Sequence, residues 1–228
     1  IIMLTLNKTK WKIIEELSNG NKTPSELSKK LKITMPSIHN QLKELEKENL
    51  IKKIGEIKGK TRPFANYSLD GGFVYFVKAL PNEIERKFLE CDDSIKLHLK
   101  IWSIPQKEYH FYIEKFWWEI QDYLEDIESI VLFGSVAKGN ARDGSDIDVL
   151  MLVKKDVKKY EGKFNAISIG PKGKEELIMA KVFIVEDFLN SLRKGSKFVE
   201  EIIKGNIVIY DKNKKFEEIK NEFNRKTI

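Results

Sequence analysis

Two domains of different class are predicted for this chain of 228 residues: a small α+β unit first, then an α/β or α+β unit, with a helical segment between them. Three observations predict this. Apolar residues recur at helical spacing through the early part of the chain, with helix start signals ahead of the runs. Two short β-rich stretches follow, around a basic turn that contains glycine. From residue 128 onward, short apolar runs alternate with helix-like stretches. The expected boundaries are 1–70, 71–127 and 128–228.

The first helix carries Trp11, Ile14 and Leu17 on one face and stops at Asn19-Gly20. The second opens at Thr23-Pro24-Ser25-Glu26. Thr caps the free N–H groups, Pro suits a first position whose N–H has no partner, and Glu three residues on completes a capping box. Its apolar face is Leu27 and Leu31. The third starts after Thr34, with Ile38, Leu42 and Leu45 on one side and Leu50-Ile51 closing it. Strands over about Ile51 to Ile57 and Phe64 to Leu69 are joined by the turn Lys58-Gly59-Lys60-Thr61-Arg62.

Gly71-Gly72 separates this hairpin from a segment expected to be helical, with new helices at Pro81 and Pro105. Pro105 to Ile127 holds Tyr109, Phe111, Tyr112, Phe116, Trp117, Trp118 and Tyr123. Aromatics on more than one face suggest a helix buried on several sides, against its own domain or a second subunit. Beyond it, strands are expected at Ser129 to Phe133, Asp146 to Val153, a pair near Phe164 to Ile169 and Leu177 to Val185, and Ile207 to Tyr210. Helices are expected just after Phe133, from Glu186 or Asp187 to about Arg193, and over Phe198 to Ile203. Lys154 to Lys163 reads as a solvated, charged loop.

A hydrophobic share of 41%, with 13 Phe, 7 Tyr and 4 Trp, fills real cores and excludes a disordered chain. The net charge of +6 is compatible with a polyanionic partner without requiring one, since charge governs association rather than fold. The single Cys91 forms no intrachain disulfide and fits a reducing cytoplasm. No apolar run approaches the ~20 residues that span a bilayer, and the opening Ile-Ile-Met-Leu-Thr-Leu is too short for a signal peptide, so no membrane partner is expected. His39, His98 and His110 lack ligand spacing, and no zinc site is expected.

One constellation carries chemistry. The buried strand Ile130-Val131-Leu132-Phe133 runs into Gly134-Ser135. Glycine at a strand end lets backbone approach a ligand, a following helix start offers free N–H groups, and the Ser135 hydroxyl can donate to a phosphate oxygen. Eleven residues after Ser135, Asp146-Ile147-Asp148 opens another strand. Positions i and i+2 of a strand share a face, so the two carboxylates project side by side while Ile147 enters the core. Paired carboxylates repel unless a cation lies between them, and hard oxygen ligands suit Mg²⁺ or Mn²⁺ carrying a nucleotide's phosphates. Lys138 and Arg142 stand between the two elements, where they can pair with phosphate charge. Ser145 is placed to cap or orient the acidic strand.

Gly134-Ser135-x-Ala137-x-Gly139-x-x-Arg142-x-x-Ser145-Asp146-Ile147-Asp148 resembles the minimal nucleotidyltransferases of the DNA polymerase β superfamily, kin to kanamycin nucleotidyltransferase. The run Phe198 to Tyr210 is similar to that family's C-terminal helix and strand. The resemblance implies an α/β nucleotidyltransferase fold with a mixed sheet. It further implies that Gly134 and Ser135 hold an NTP triphosphate, with Lys138, Arg142 and Ser145 beside it. Asp146 and Asp148 would be the catalytic pair that binds Mg²⁺ or Mn²⁺. An acceptor hydroxyl would attack the α-phosphorus and release pyrophosphate. One departure stands out: such enzymes use a third carboxylate on a later strand, and Met179-Ala180-Lys181-Val182-Phe183 has none. Glu176, Glu186 and Asp187 are the nearest acids.

Residues 1–70 resemble winged helix-turn-helix repressors, on Thr23-Pro-Ser-Glu-Leu-Ser-Lys-Lys-Leu, Ser37 to Ile51 and the basic turn. With Ile38, Leu42 and Leu45 buried, the other face of the third helix shows Pro36, Asn40, Lys43 and Lys47, flanked by Ser37 and His39. Asn40 suits a base edge, Lys43 and Ser37 suit phosphates, and Lys58, Lys60 and Arg62 suit a neighbouring phosphate or the minor groove. A module used only for protein contacts is the other reading of the same residues.

Two functions are therefore expected. One is a transferase moving a nucleoside monophosphate to a small molecule, nucleic acid or protein acceptor, the last as in toxin–antitoxin pairs. The other is a dimeric, DNA-bound, cytoplasmic regulator whose C-terminal domain only senses a nucleotide. Gly134-Ser135 with Asp146 and Asp148 favours the first; the missing acid and the winged helix favour the second.

Overall fold

The computed structural model describes residues 6–57 and 63–227. Two compact units divide the chain between Asp92 and Asp93.

In the first unit, helices α1 (Lys8–Ser18), α2 (Pro24–Leu31) and α3 (Met35–Lys47) precede strands β1 (Ile51–Ile57), β2 (Phe64–Leu69), β3 (Phe73–Leu80) and β4 (Glu83–Glu90). The expected capping box is formed: Glu26 N–H donates to Thr23 Oγ1 at 3.3 Å, and Thr23 N–H donates to the Glu26 carboxylate at 2.7 Å. Lys32 takes the left-handed conformation that ends α2 and starts the turn into α3. Ile13, Leu17, Leu27, Ile38, Leu42, Leu45 and Ile51 form one core, on which β1 and β2 pack through Tyr67.

The segment 73–90, expected to be helical, is instead an antiparallel hairpin. Pro81 occupies its two-residue turn, where Leu80 pairs with Glu83 and Asn82 has φ +64°. The fixed φ of proline suits the first position of such a turn as well as the first position of a helix, and Asn tolerates the positive φ that follows. Packing decides between the two. On one face of the hairpin Phe88 stacks on Tyr75, ring centroids 4.7 Å apart, and meets Phe73 edge-on at 5.5 Å.

The second unit holds α4 (Asp93–Trp102), α5 (His110–Glu119), β5 (Ile127–Phe133), α6 (Gly134–Lys138), β6 (Ile147–Val153), α7 (Val157–Phe164), β7 (Ile167–Ile169), β8 (Glu176–Ile184), α8 (Val185–Arg193), α9 (Lys197–Lys204), β9 (Ile207–Asp211) and α10 (Lys215–Thr227). Its sheet runs in the order β7-β8-β6-β5-β9. Only β6 and β8 are parallel neighbours, so the sheet is mixed. Leu97, Ile113, Phe116, Tyr160 and Phe164 cover the face of Leu132, Val149, Met151 and Ala180. Phe188, Val199, Ile202, Phe216 and Ile219 cover the face of Val131, Leu150 and Leu152. Helices on both faces explain why Ile130 to Phe133 of β5 and Val149 to Val153 of β6 read as unbroken apolar runs.

Two further expectations are corrected. Lys154 to Lys163 contributes most of α7 rather than a loop. Tyr160 and Phe164, four residues apart, are buried side by side, and each contributes about 1.5–3 kcal/mol of burial that a charge count misses. That helix also shortens the strand expected from Phe164, which begins at Ile167. Within the aromatic segment Tyr109 and Phe116 are buried in the unit, whereas Phe111 is 46% and Trp118 57% exposed. Among the described residues no helix is long and apolar enough to cross a membrane.

Candidate functional site

Strand β5 runs antiparallel to β6 with Phe133 opposite Asp148, so the chain leaving β5 turns at the Asp148 carboxyl. Gly134 makes that turn with φ +72°, and a Cβ built there would lie 2.2 Å from Asp148 Oδ2 and 3.0 Å from its Cγ. A side chain is excluded twice over, by backbone conformation and by the carboxylate. Ser135, half-buried, stands in the first turn of α6, and Gly139 ends that helix in the left-handed conformation. Ile147 is fully buried, while Asp146 is exposed and Asp148 half-buried on the opposite side of the chain, as period-two alternation requires. Burial, then the neighbouring Asp146, pushes the Asp148 carboxyl above its ordinary value, and Lys181 pulls the other way.

The loop between α6 and β6 is held from both sides. Ser145 Oγ accepts from Arg142 N–H at 2.9 Å, and Ser145 N–H donates to the Arg142 carbonyl at 2.9 Å, which closes the turn that delivers Asp146. Gln106 grips the Ala141 backbone twice: Ala141 N–H donates to its Oε1 at 2.8 Å and its Nε2 donates to the Ala141 carbonyl at 3.0 Å. Sequence reading missed Gln106, which lies 35 positions away with no local pattern to mark it. Lys138 and Arg142 are both exposed; the Lys138 stem lies against Gly205 at the end of α9.

In the first unit α3 buries Ile38, Leu42 and Leu45 and exposes Pro36, His39, Asn40, Lys43 and Lys47, with Ser37 half-buried. Lys58, Lys60 and Arg62 lie outside the described residues.

Residues 118–215 match the family described as Polymerase beta, Nucleotidyltransferase, and residues 7–53 match the Bacterial regulatory protein, arsR family. This chain joins an ArsR-type DNA-binding helix-turn-helix to a nucleotidyltransferase-family domain. A search of curated proteins returned no match.

Within the nucleotidyltransferase-family domain, parity settles where the nearest acids lie. Asp148 pairs with Met179 and Leu150 with Lys181 across the parallel β6–β8 ladder. Leu150 and Phe183 pack in the same core, so Met179, Lys181 and Phe183 share the face of Asp148. Glu176 falls on the other face with Ile178 and Ala180. Glu186 and Asp187 begin α8 beyond the far end of β8, about 17 Å along the strands from Asp148 at ~3.3 Å per residue. Among the described residues no group of three His, Cys, Asp or Glu side chains is placed to hold a metal. The donor set of Asp146 and Asp148 fits one divalent cation whose remaining positions go to phosphate and water. It falls one carboxylate short of a second. Lys181, on the face of Asp148, was passed over in the sequence, though a lone charge between the core residues Ala180 and Val182 was its visible signal.

Proposed function

We propose that the C-terminal domain is a metal-dependent nucleotidyltransferase that moves a nucleoside monophosphate from an NTP to an acceptor hydroxyl. The observation that carries this is the close approach of Gly134 to Asp148, which joins the Gly-Ser turn and the acidic pair into one site. Gly134 and Ser135 cradle the triphosphate with backbone N–H groups and the Ser135 hydroxyl. Arg142 and Lys138 add charge at the rim, and Ser145 holds the loop that brings Asp146 into place. A Mg²⁺ or Mn²⁺ ion held by Asp146 and Asp148 would offset the charge of the triphosphate and of the departing pyrophosphate. The acceptor oxygen bonds to the α-phosphorus, the bond from that phosphorus to the bridging oxygen breaks, and the hydroxyl proton leaves to solvent.

The ArsR-type unit places this chemistry on DNA, with α3 in the major groove: Asn40 at a base edge and Ser37, His39, Lys43 and Lys47 toward the backbone. Two-fold DNA sites suit a homodimer. DNA and NTPs share the cytoplasm, where we place the protein. An acceptor protein encoded beside it, as in a toxin–antitoxin pair, fits a transferase that controls its own operon.

Incubation with Mg²⁺ and α-labelled NTPs tests the reading. Label transfer or pyrophosphate release by the parent, lost in Asp146→Ala/Asp148→Ala, supports it. Nucleotide binding without turnover, together with salt-sensitive DNA binding, supports instead a regulator that senses the nucleotide. The lysine in place of a third acid favours that second reading.

A further inference from the structure

One of the two β8 residues beside Asp148 on its face of the sheet is a cation. Asp148 and Leu150 share one face of β6, with Asp146 just ahead of the strand, and Met179 and Lys181 lie on the same face of its parallel neighbour. With strands ~4.8 Å apart and ~3.3 Å per residue, the Lys181 Cα lies about 8 Å diagonally from that of Asp148, well within reach of a four-carbon stem. Lys181 cannot be turned away, because the residues on either side of it, Ala180 and Val182, are locked in the opposite core. Its side chain is exposed, and among the described residues it makes no ion pair. A three-carboxylate site presents three negative charges to its cations; this one presents two, with a positive charge beside them.

We propose that the Lys181 ammonium takes the place of a second divalent cation. The site then binds one divalent ion per chain with its nucleotide, and Lys181 contacts the triphosphate directly. This rests on the nucleotide-site reading above and deepens it: the pocket recognises a singly metallated NTP. An ammonium brings fixed charge without an exchangeable ligand sphere, so the phosphate contact persists when the metal is dilute. It also repels another dication from the same face.

The test counts ions rather than turnover. The full chain is titrated with Mn²⁺ at saturating NTP analogue, one whose α- and β-phosphorus are bridged by methylene, and bound manganese is read by electron paramagnetic resonance. The parent is expected to hold one magnetically isolated Mn²⁺. Lys181→Glu supplies the absent carboxylate and is expected to hold two spin-coupled ions. Lys181→Met, with no charge and a similar stem, is expected to keep one ion and bind the analogue about tenfold more weakly, which is ~1.4 kcal/mol. A spin-coupled pair in the parent overturns the inference, as does unchanged nucleotide affinity in Lys181→Met or a single ion in a folded Lys181→Glu. If the parent binds neither Mn²⁺ nor the analogue, the nucleotide-site reading falls together with this one. Two ions in the parent leave that reading standing and remove Lys181 alone.

Discussion

Replacing Gly134 with alanine puts the geometry of the site to a direct measurement. Two costs are separable. An L residue at φ +72° pays about 1–2 kcal/mol for the left-handed backbone conformation. The new Cβ also meets three atoms of one side chain, Asp148 Oδ2 at 2.2 Å, Cγ at 3.0 Å and Cβ at 3.2 Å, so rotating the carboxylate tip does not relieve the contact. Overpacking of this kind costs about 1–3 kcal/mol. The sum, about 2–5 kcal/mol, corresponds to a fall in the unfolding midpoint of ~6–15 °C for a unit of this size. Gly144→Ala is the matched control, since Gly144 has φ +78° and nothing within 4 Å of an added Cβ. It pays only the backbone cost. Thermal unfolding of Gly134→Ala, Gly144→Ala and Gly134→Ala/Asp148→Ala separates the terms. Removing the carboxyl should restore about 1–2 kcal/mol to the double variant, a coupling that distant sites do not show. Equal destabilisation by the two glycine variants, with no rescue, would refute the close approach and with it the joining of the two halves of the site.

The remaining expectations concern the loop, the acid pair and the DNA face. Gln106→Ala removes both hydrogen bonds to Ala141 and should cost about 1–3 kcal/mol, seen in thermal unfolding. It should weaken Mn²⁺ binding while leaving DNA affinity unchanged; unaltered metal affinity would mean the loop holds Asp146 without it. Asp148 titrates above its ordinary value in the fold, so its contribution to stability is full below the ordinary carboxylate range and is lost as pH rises through the raised value. Metal-free Asp148→Asn should therefore melt a few degrees above the parent at neutral pH, and the gain should vanish in acid; the opposite trend in calorimetry refutes the assignment. Lys43→Ala and Lys47→Ala should each lower the slope of log affinity against log salt by ~0.9 in fluorescence anisotropy with duplex DNA. An unchanged slope would take that face off the phosphates.

Local physics was legible from the chain alone wherever a short-range rule suffices. The Thr23–Glu26 capping box, the buried face Ile38, Leu42 and Leu45, and the strand that ends at Gly134-Ser135 all follow from spacing. So does the parity of Asp146 and Asp148 about buried Ile147, because strand alternation is a property of consecutive residues. Errors arose where two local readings were equally good. Pro81 fits a helix start or a turn, and the hairpin wins because Tyr75 and Phe88 stack across it. The charged run before Phe164 hides the two residues that bury α7.

What the tertiary structure alone decided is which residues share the face of Asp148. Spacing orients a side chain relative to its own strand, but only long-range pairing sets which strand lies alongside and in what register. The β6–β8 ladder brings Met179 and Lys181 to the face of Asp148, sends Glu176 to the other face, and leaves Glu186 and Asp187 at the far end. It is likewise the β5–β6 register, not the glycine itself, that turns Gly134 from a flexible residue into the only one the Asp148 carboxyl admits.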